Sequence, residues 1–196
     1  MYVTIGTSEA RVGETVTVDV KANAKEVAAF KYRFTYDPAA LQCTGAEVKG
    51  FVANMNEKAA VIKDGEIWLT ALALNPVTAD EEVILTLTFT ILDASADTNV
   101  LSQNYKMVVD RNYNEMTVEV VDGAVDVIRK GDGNVNLDNV VNTFDAFMLY
   151  AYTSGKNNNL TAEQLAHGDV AEPIGSVNMM DAFMLYAYTS GARDSL

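Results

Sequence analysis

Residues 134–145 read Asn134-Val135-Asn136-Leu137-Asp138-Asn139-Val140-Val141-Asn142-Thr143-Phe144-Asp145, with side-chain oxygens at the first, third, fifth, ninth and twelfth places. That spacing suits a hard divalent cation. Ca²⁺ takes about six to eight oxygens at roughly 2.3–2.6 Å, and a coiled twelve-residue loop turns alternate residues inward to supply them. Asn134, Asn136 and Asp138 would converge, and Val140 would add its backbone carbonyl. Asn142 would act through a water, and Asp145 would close the shell from the start of a helix.

The block DAFMLYAYTSG begins at Asp145 and returns unchanged at Asp181. Identity of that length marks an internal duplication. The loop before the second copy, residues 169–181, is a worn version of the first. It is one residue longer and has Ala171 and Pro173 where oxygens are expected. Asp169, Glu172, Asn178 and Asp181 remain as candidate ligands of a weaker second site. The other reading is that this loop keeps its shape without metal, held by Pro173 and Gly175. Asp132, just before the first loop, is either an outer ligand or the mark of another register.

The duplicated helix is apolar on two sides. On a 3.6-residue period Ala146, Leu149 and Tyr152 form one stripe, and Phe147, Tyr150 and Ala151 another. One stripe must pack on the sister repeat. On so small a module the second has nowhere left to bury itself, and such stripes mark partner surfaces. The plainer alternative is that these side chains are core.

Two loop-helix units joined by a linker resemble a dockerin, the calcium-binding module that plugs proteins into cellulosome-like assemblies. The residues that carry the resemblance are Gly133, Asn134, Val135, Asn136, Leu137 and Asp138, then Val141, Asn142, Thr143, Phe144, Asp145 and Ala146. It covers residues 129–196, and it implies repeats at about 132–155 and 168–191 around a linker at 156–167. Thr161 would cap a short helix in that linker. At the first loop position the family has Asp, and Asn134 removes that charge. The resemblance implies one bound Ca²⁺ in the first loop, with the second loop open. It also places partner contacts along the helices. These are Thr143, Phe144, Phe147, Tyr150 and Ala151 in the first unit, and Met179, Met180, Phe183, Tyr186 and Ala187 in the second. The implied partner is a cohesin-bearing scaffold, met in either of two orientations related by a half-turn. Thr143-Phe144 against Met179-Met180 breaks that symmetry.

Residues 2–128 read as all-β, a sandwich or jelly roll. Alternating apolar runs stand at 15–20, 29–36, 66–74, 83–92, 116–121 and 124–127. Turn signals separate them at Gly13-Glu14, Asp37-Pro38, Asp64-Gly65 and Asp122-Gly123. Several segments look like a cohesin, the nine-stranded jelly-roll receptor for dockerins. They are Gly13 to Val18, Tyr36-Asp37-Pro38-Ala39-Ala40-Leu41, Leu85 to Phe89, and Asp122 to Val127. The join falls near residue 129. The fold expected is therefore a mainly β N-terminal jelly-roll sandwich, 1–128, followed by a small all-α calcium-binding module of two loop-helix repeats, 129–196. The resemblance does not say which strands line the receptor face.

Charge and composition narrow the function. The chain has 196 residues and a formal net charge of −13. That argues against nucleic acid, which needs a basic surface, and against an anionic membrane. No run of about eighteen apolar residues spans a bilayer. Cys43 is the single cysteine and His167 the single histidine, so an intrachain disulfide, a zinc site and a Ser-His-Asp triad lack their parts. Cys43 reads as a small buried hydrophobe and Asp37 as a turn former. Trp68 reads either as core, the commoner fate of a lone Trp on an alternating strand, or as a sugar-stacking ring. No signal-peptide pattern opens the sequence, which decides little for a mature secreted chain.

Together the two resemblances imply a non-catalytic adaptor scaffoldin in an extracellular, cell-surface-associated complex. The sandwich would capture a dockerin-bearing protein, and the tail would dock into a different cohesin. The alternative is a carbohydrate-binding accessory sandwich tethered by its dockerin. An enzyme fragment is disfavoured, because no nucleophile-base pair or carboxylate pair is recognisable.

Overall fold

The computed structural model describes residues 1–92, 98–128 and 130–196. The expected join at Arg129 lies outside the described residues. The chain divides into two compact units, Met1–Val127 and Ile128–Leu196.

The first unit contains nine strands among the described residues. They are β1 (Tyr2–Ile5), β2 (Thr7–Ala10), β3 (Thr15–Thr35), β4 (Leu41–Val48), β5 (Glu57–Lys63), β6 (Glu66–Ile91), β7 (Thr98–Val109), β8 (Glu119–Val121) and β9 (Gly123–Val127). A single helical turn, α1 (Gly50–Ala53), follows β4. Two long strands carry the architecture. β3 and β6 pair antiparallel from Thr15↔Thr90 to Thr35↔Glu66. The separate runs expected at 15–20 and 29–36 are thus one strand, as are those at 66–74 and 83–92. The intervening stretch of β3 is rich in alanine, a weak strand former, so tertiary pairing overrides its local signal. Register shifts between Val20 and Ala29, and a left-handed Glu26 (φ 57°), bend the strand midway.

The bend lets each long strand serve two surfaces. One end of the β3–β6 pair is flanked by β5 and β7, the other by β4 and β1. Asp122-Gly123, expected as a turn, is instead a step between strands. β8 runs parallel to β1, and β9 then runs parallel to β2 while pairing with β7. Alternation sends one side of each strand inward. Phe30, Tyr32 and Phe34 of β3 meet Ile67, Leu69, Leu87 and Phe89 of β6 in a core that also holds Cys43.

In the second unit α2 (Thr143–Thr153) and α4 (Met179–Thr189) carry the duplicated block, and α3 (Ala162–Gly168) lies between them. Thr161 and Gln164 form a capping box on α3, where the sequence predicts a short capped helix. The small core consists of Val135, Ala146, Leu149, Val170, Ala182 and Leu185. At Gly131 a Cβ would run into the carbonyls of Ala166 and His167, so only glycine permits that close approach.

Candidate functional site

The outward side of β5-β6-β3-β7 is a face whose rows follow from the register. Val61, Trp68, Arg33 and Tyr105 lie side by side across the four strands. The next row is Ala59, Thr70, Lys31 and Met107. A third is Glu57, Leu72, Ala29 and Val109. Val61, Leu72, Tyr105 and Met107 are exposed. Apolar side chains standing together on an open sheet mark a contact surface more than scattered ones do.

Trp68 sits at the middle of this face, half-buried, and not in the core. Its neighbours Ile67 and Leu69 take the inward positions. The Lys31 ammonium lies 4.6 Å from the indole centroid and the Arg33 guanidinium 5.5 Å. Tyr105 packs against the same ring at 5.8 Å between centroids. The indole N–H donates to Glu66 Oε2 at 3.0 Å, and the other Glu66 oxygen is 3.5 Å from Arg33. Arg33 Nε also donates to Asn104 Oδ1 at 2.8 Å. The ring is therefore dressed by cations and its donor is used.

Sequence reading missed Lys31, Arg33, Glu66, Tyr105 and Met107 as candidates. The alternation of residues 29–36 sets Lys31 and Arg33 outward, whereas Trp68, whose commoner expected place was the core, stands on the outer face. What it lacked was the pairing that gathers them. Asp37 is a turn residue: its carboxylate accepts the Ala39 N–H at 2.9 Å, and its carbonyl accepts from Leu41.

In the second unit the first loop coils as a cation loop must. Leu137 and Asn139 adopt left-handed φ values of 62° and 67°. Asn134 Oδ1 and Asn136 Oδ1 both accept the Asp138 N–H, at 3.1 and 3.0 Å, so the two amide oxygens converge. Asp138 Oδ1 accepts from Val140 N, and Asn142 Nδ2 donates to the Val140 carbonyl. Asp145 is fully buried beneath them, its oxygens accepting Asn136 N and Asn142 N at 3.0 and 2.9 Å. The donors are all oxygen, with two carboxylates and three amides, and they fit a Ca²⁺-sized hard cation. Among the described residues no cluster of three or more His, Cys, Asp or Glu is poised for a metal, because this loop spends amides where others spend carboxylates.

The second loop fits an ion less well. Asp181 is also buried, but its carboxylate accepts three backbone donors, Val170 N, Ala171 N and Asn178 N, at 2.7–2.9 Å. Asp169 accepts the Gly175 N–H, and Glu172, which points to solvent, accepts from Ile174. Ala171 is buried at a place where an oxygen ligand was expected. Backbone N–H groups hold this loop closed. Asp132, at the start of the module, bonds Asn134 N and the His167 ring. Partial burial pushes its carboxyl up, but these two partners outweigh it and hold the group below the ordinary carboxylate value.

Each loop launches its helix through the same cap. Asn142 Oδ1 accepts from Phe144 N and Asn178 Oδ1 from Met180 N, both at 2.8 Å. The caps fix the rotation of α2 and α4. Ala146 and Leu149, with Ala182 and Leu185, point inward, and the aromatics point out. Phe147 is 62% exposed and Phe183 65%. Phe144, Tyr150, Met179, Met180 and Tyr186 are exposed as well, together with Thr143, while Ala151 and Ala187 are half-buried. Reading these side chains as core is therefore wrong. Phe147, Tyr150, Met179, Phe183 and Tyr186 line one shared groove, floored by Ala146 and Ala182. Among the described residues no helix is long and apolar enough to cross a membrane.

Comparison with known proteins bears on the first unit. No curated protein matches the chain. Among solved structures, the third cohesin ScaC from Acetivibrio cellulolyticus, in complex with the ScaB dockerin, aligns with a TM-score of 0.60 at 19% identity, over 65% of this chain and 99% of that one. The Coh-OlpA-Doc918 complex from Clostridium thermocellum gives 0.57 at 21%, over 64% and 97%. A non-cellulosomal cohesin from the archaeon Archaeoglobus fulgidus gives 0.56 at 18%, over 65% and 90%. At such identities these likenesses speak for the fold. The family model for the cohesin domain matches residues 1–127, nearly two thirds of the sequence and the whole nine-stranded unit, and by that match the chain belongs to the cohesin family.

Proposed function

We propose that this protein is a non-catalytic adaptor with two docking surfaces of opposite kind. The sandwich takes a dockerin-bearing protein on the β5-β6-β3-β7 face. The tail, residues 129–196, works as a dockerin and seats the Phe147, Tyr150, Phe183 and Tyr186 groove on the cohesin of a separate scaffold protein. The assembly is extracellular and cell-surface-associated. Support for the sandwich half comes from its family, whose members are interaction modules and not enzymes. The observation that carries the tail half is the duplicated helix pair, turned so that its aromatics face outward from a sealed small core.

One Ca²⁺ in the first loop organises that pair. Asn134, Asn136, Asp138, the Val140 carbonyl, Asn142 and Asp145 would hold it. The ion would supply the counter-charge that two carboxylates and several carbonyl dipoles otherwise lack. Asp145 then ties the loop to α2, because the same carboxylate closes the helix cap.

The carbohydrate-binding alternative is weakened by the cation-covered Trp68. Binding of the purified full chain to a panel of purified dockerin modules, and separately to cohesin modules, tests the proposal. It expects saturable binding in both formats with calcium present, loss of cohesin binding in chelator, and no retention on insoluble polysaccharide. Retention on polysaccharide without module binding would overturn it.

A further inference from the structure

We infer that the sandwich face selects a helical ridge that carries a carboxylate. This rests on the reading of β5-β6-β3-β7 as the receptor face. The protein as a whole is strongly acidic, with a formal net charge of −13. Its sheet face departs from that balance. Lys31 and Arg33 occupy the centre, around Trp68, and Lys63 stands in the outward register of β5. The carboxylates on the same face are Glu57 at its end and Glu66, which is already taken by Arg33 and the indole N–H. Among the described residues no carboxylate pairs with Lys31; its ammonium rests on the indole.

A cation held over an aromatic ring in the middle of an apolar surface is partly stripped of water before any partner arrives. A carboxylate arriving there gains a short charge-assisted bond, whereas a second cation is repelled with little screening.

Surface plasmon resonance on the full chain tests this, with dockerin modules from the panel that carry or lack an acidic side chain on the ridge as probes. Wild type should prefer the acidic ones, with association that slows as NaCl rises. Lys31→Glu should slow association to those modules roughly tenfold at low salt and flatten the salt dependence. Lys31→Met, which keeps the stem over Trp68, should fall between the two. Unchanged kinetics in Lys31→Glu, or a preference for basic ridges, would overturn the charge selection while leaving the receptor face standing. If no module binds wild type, the receptor face falls, and this inference falls with it.

Discussion

Trp68 and Phe34 lie on neighbouring strands and differ only in which side of the sheet they face. Phe34 is buried in the core, and Trp68 is the centre of the outer face. Phe34→Ala should therefore cost about 3–5 kcal/mol of stability, the usual range for an aromatic deleted from a packed core. Trp68→Ala should leave the denaturation midpoint close to wild type and weaken dockerin-module binding at least tenfold. Urea titration and calorimetry separate the two effects. Cys43 shows the same logic for chemistry. Burial pushes its thiol above the ordinary value, and the sulfur donates to the Gly45 carbonyl. Because the thiolate is the reactive form, native protein should react slowly with a thiol reagent at neutral pH and rapidly once unfolded. A fast native reaction would contradict the burial.

At the level of elements, the two helices of the tail depend on their first turns. Asn142 and Asn178 each close a reciprocal cap with an aspartate three residues on. Asn178→Ala should destabilise the tail by about 1 kcal/mol, read as a lower midpoint of its thermal transition. The loops differ where the helices agree. Asp181 accepts three backbone donors, whereas Asp145 accepts two, and in the first loop Asn134 Oδ1 and Asn136 Oδ1 converge on Asp138 N. Calcium should therefore bind with a stoichiometry near one, and Asp138→Ala should remove most of that affinity in a titration while the Asp169→Ala change removes little. The groove built from both helices also bears on orientation. Phe147 and Phe183 serve a common surface, so replacing either one should weaken cohesin docking, a result that a plug using one helix at a time would not give.

For the whole molecule, the two units have separate cores. The sandwich buries a large apolar core along β3 and β6. The tail buries a small cluster of its own, Val135, Ala146, Leu149, Val170, Ala182 and Leu185, and a Ca²⁺ that bound only the folded form would stabilise it by mass action. Chelator should lower or abolish the helical signal of the tail in far-UV dichroism and leave the β transition unmoved. A single transition insensitive to chelator would count against the calcium loop and against the tail as a separately controlled plug.

Much of this was written in local pattern. The repeat, the oxygen spacing of the first loop, the caps and the apolar stripes are properties of neighbouring residues, so they survive in a linear string. The outward parity of Lys31 and Arg33 is likewise a consequence of two-residue alternation, though a lone Trp in such a run, as at Trp68, reads first as core. What the string could not express is adjacency between distant segments. Arg33 meets Trp68 on one side and Tyr105 on the other because β3 pairs with β6 and β7, and that choice is made by packing a shared core. The same holds for the tail: duplication announced two equal helices, but only their packing through Ala146, Leu149, Ala182 and Leu185 turned both aromatic faces toward one groove. Alternation and spacing are set by backbone geometry over a few residues; neighbours across a sheet or a helix pair are set by burying apolar area contributed from far apart in the chain.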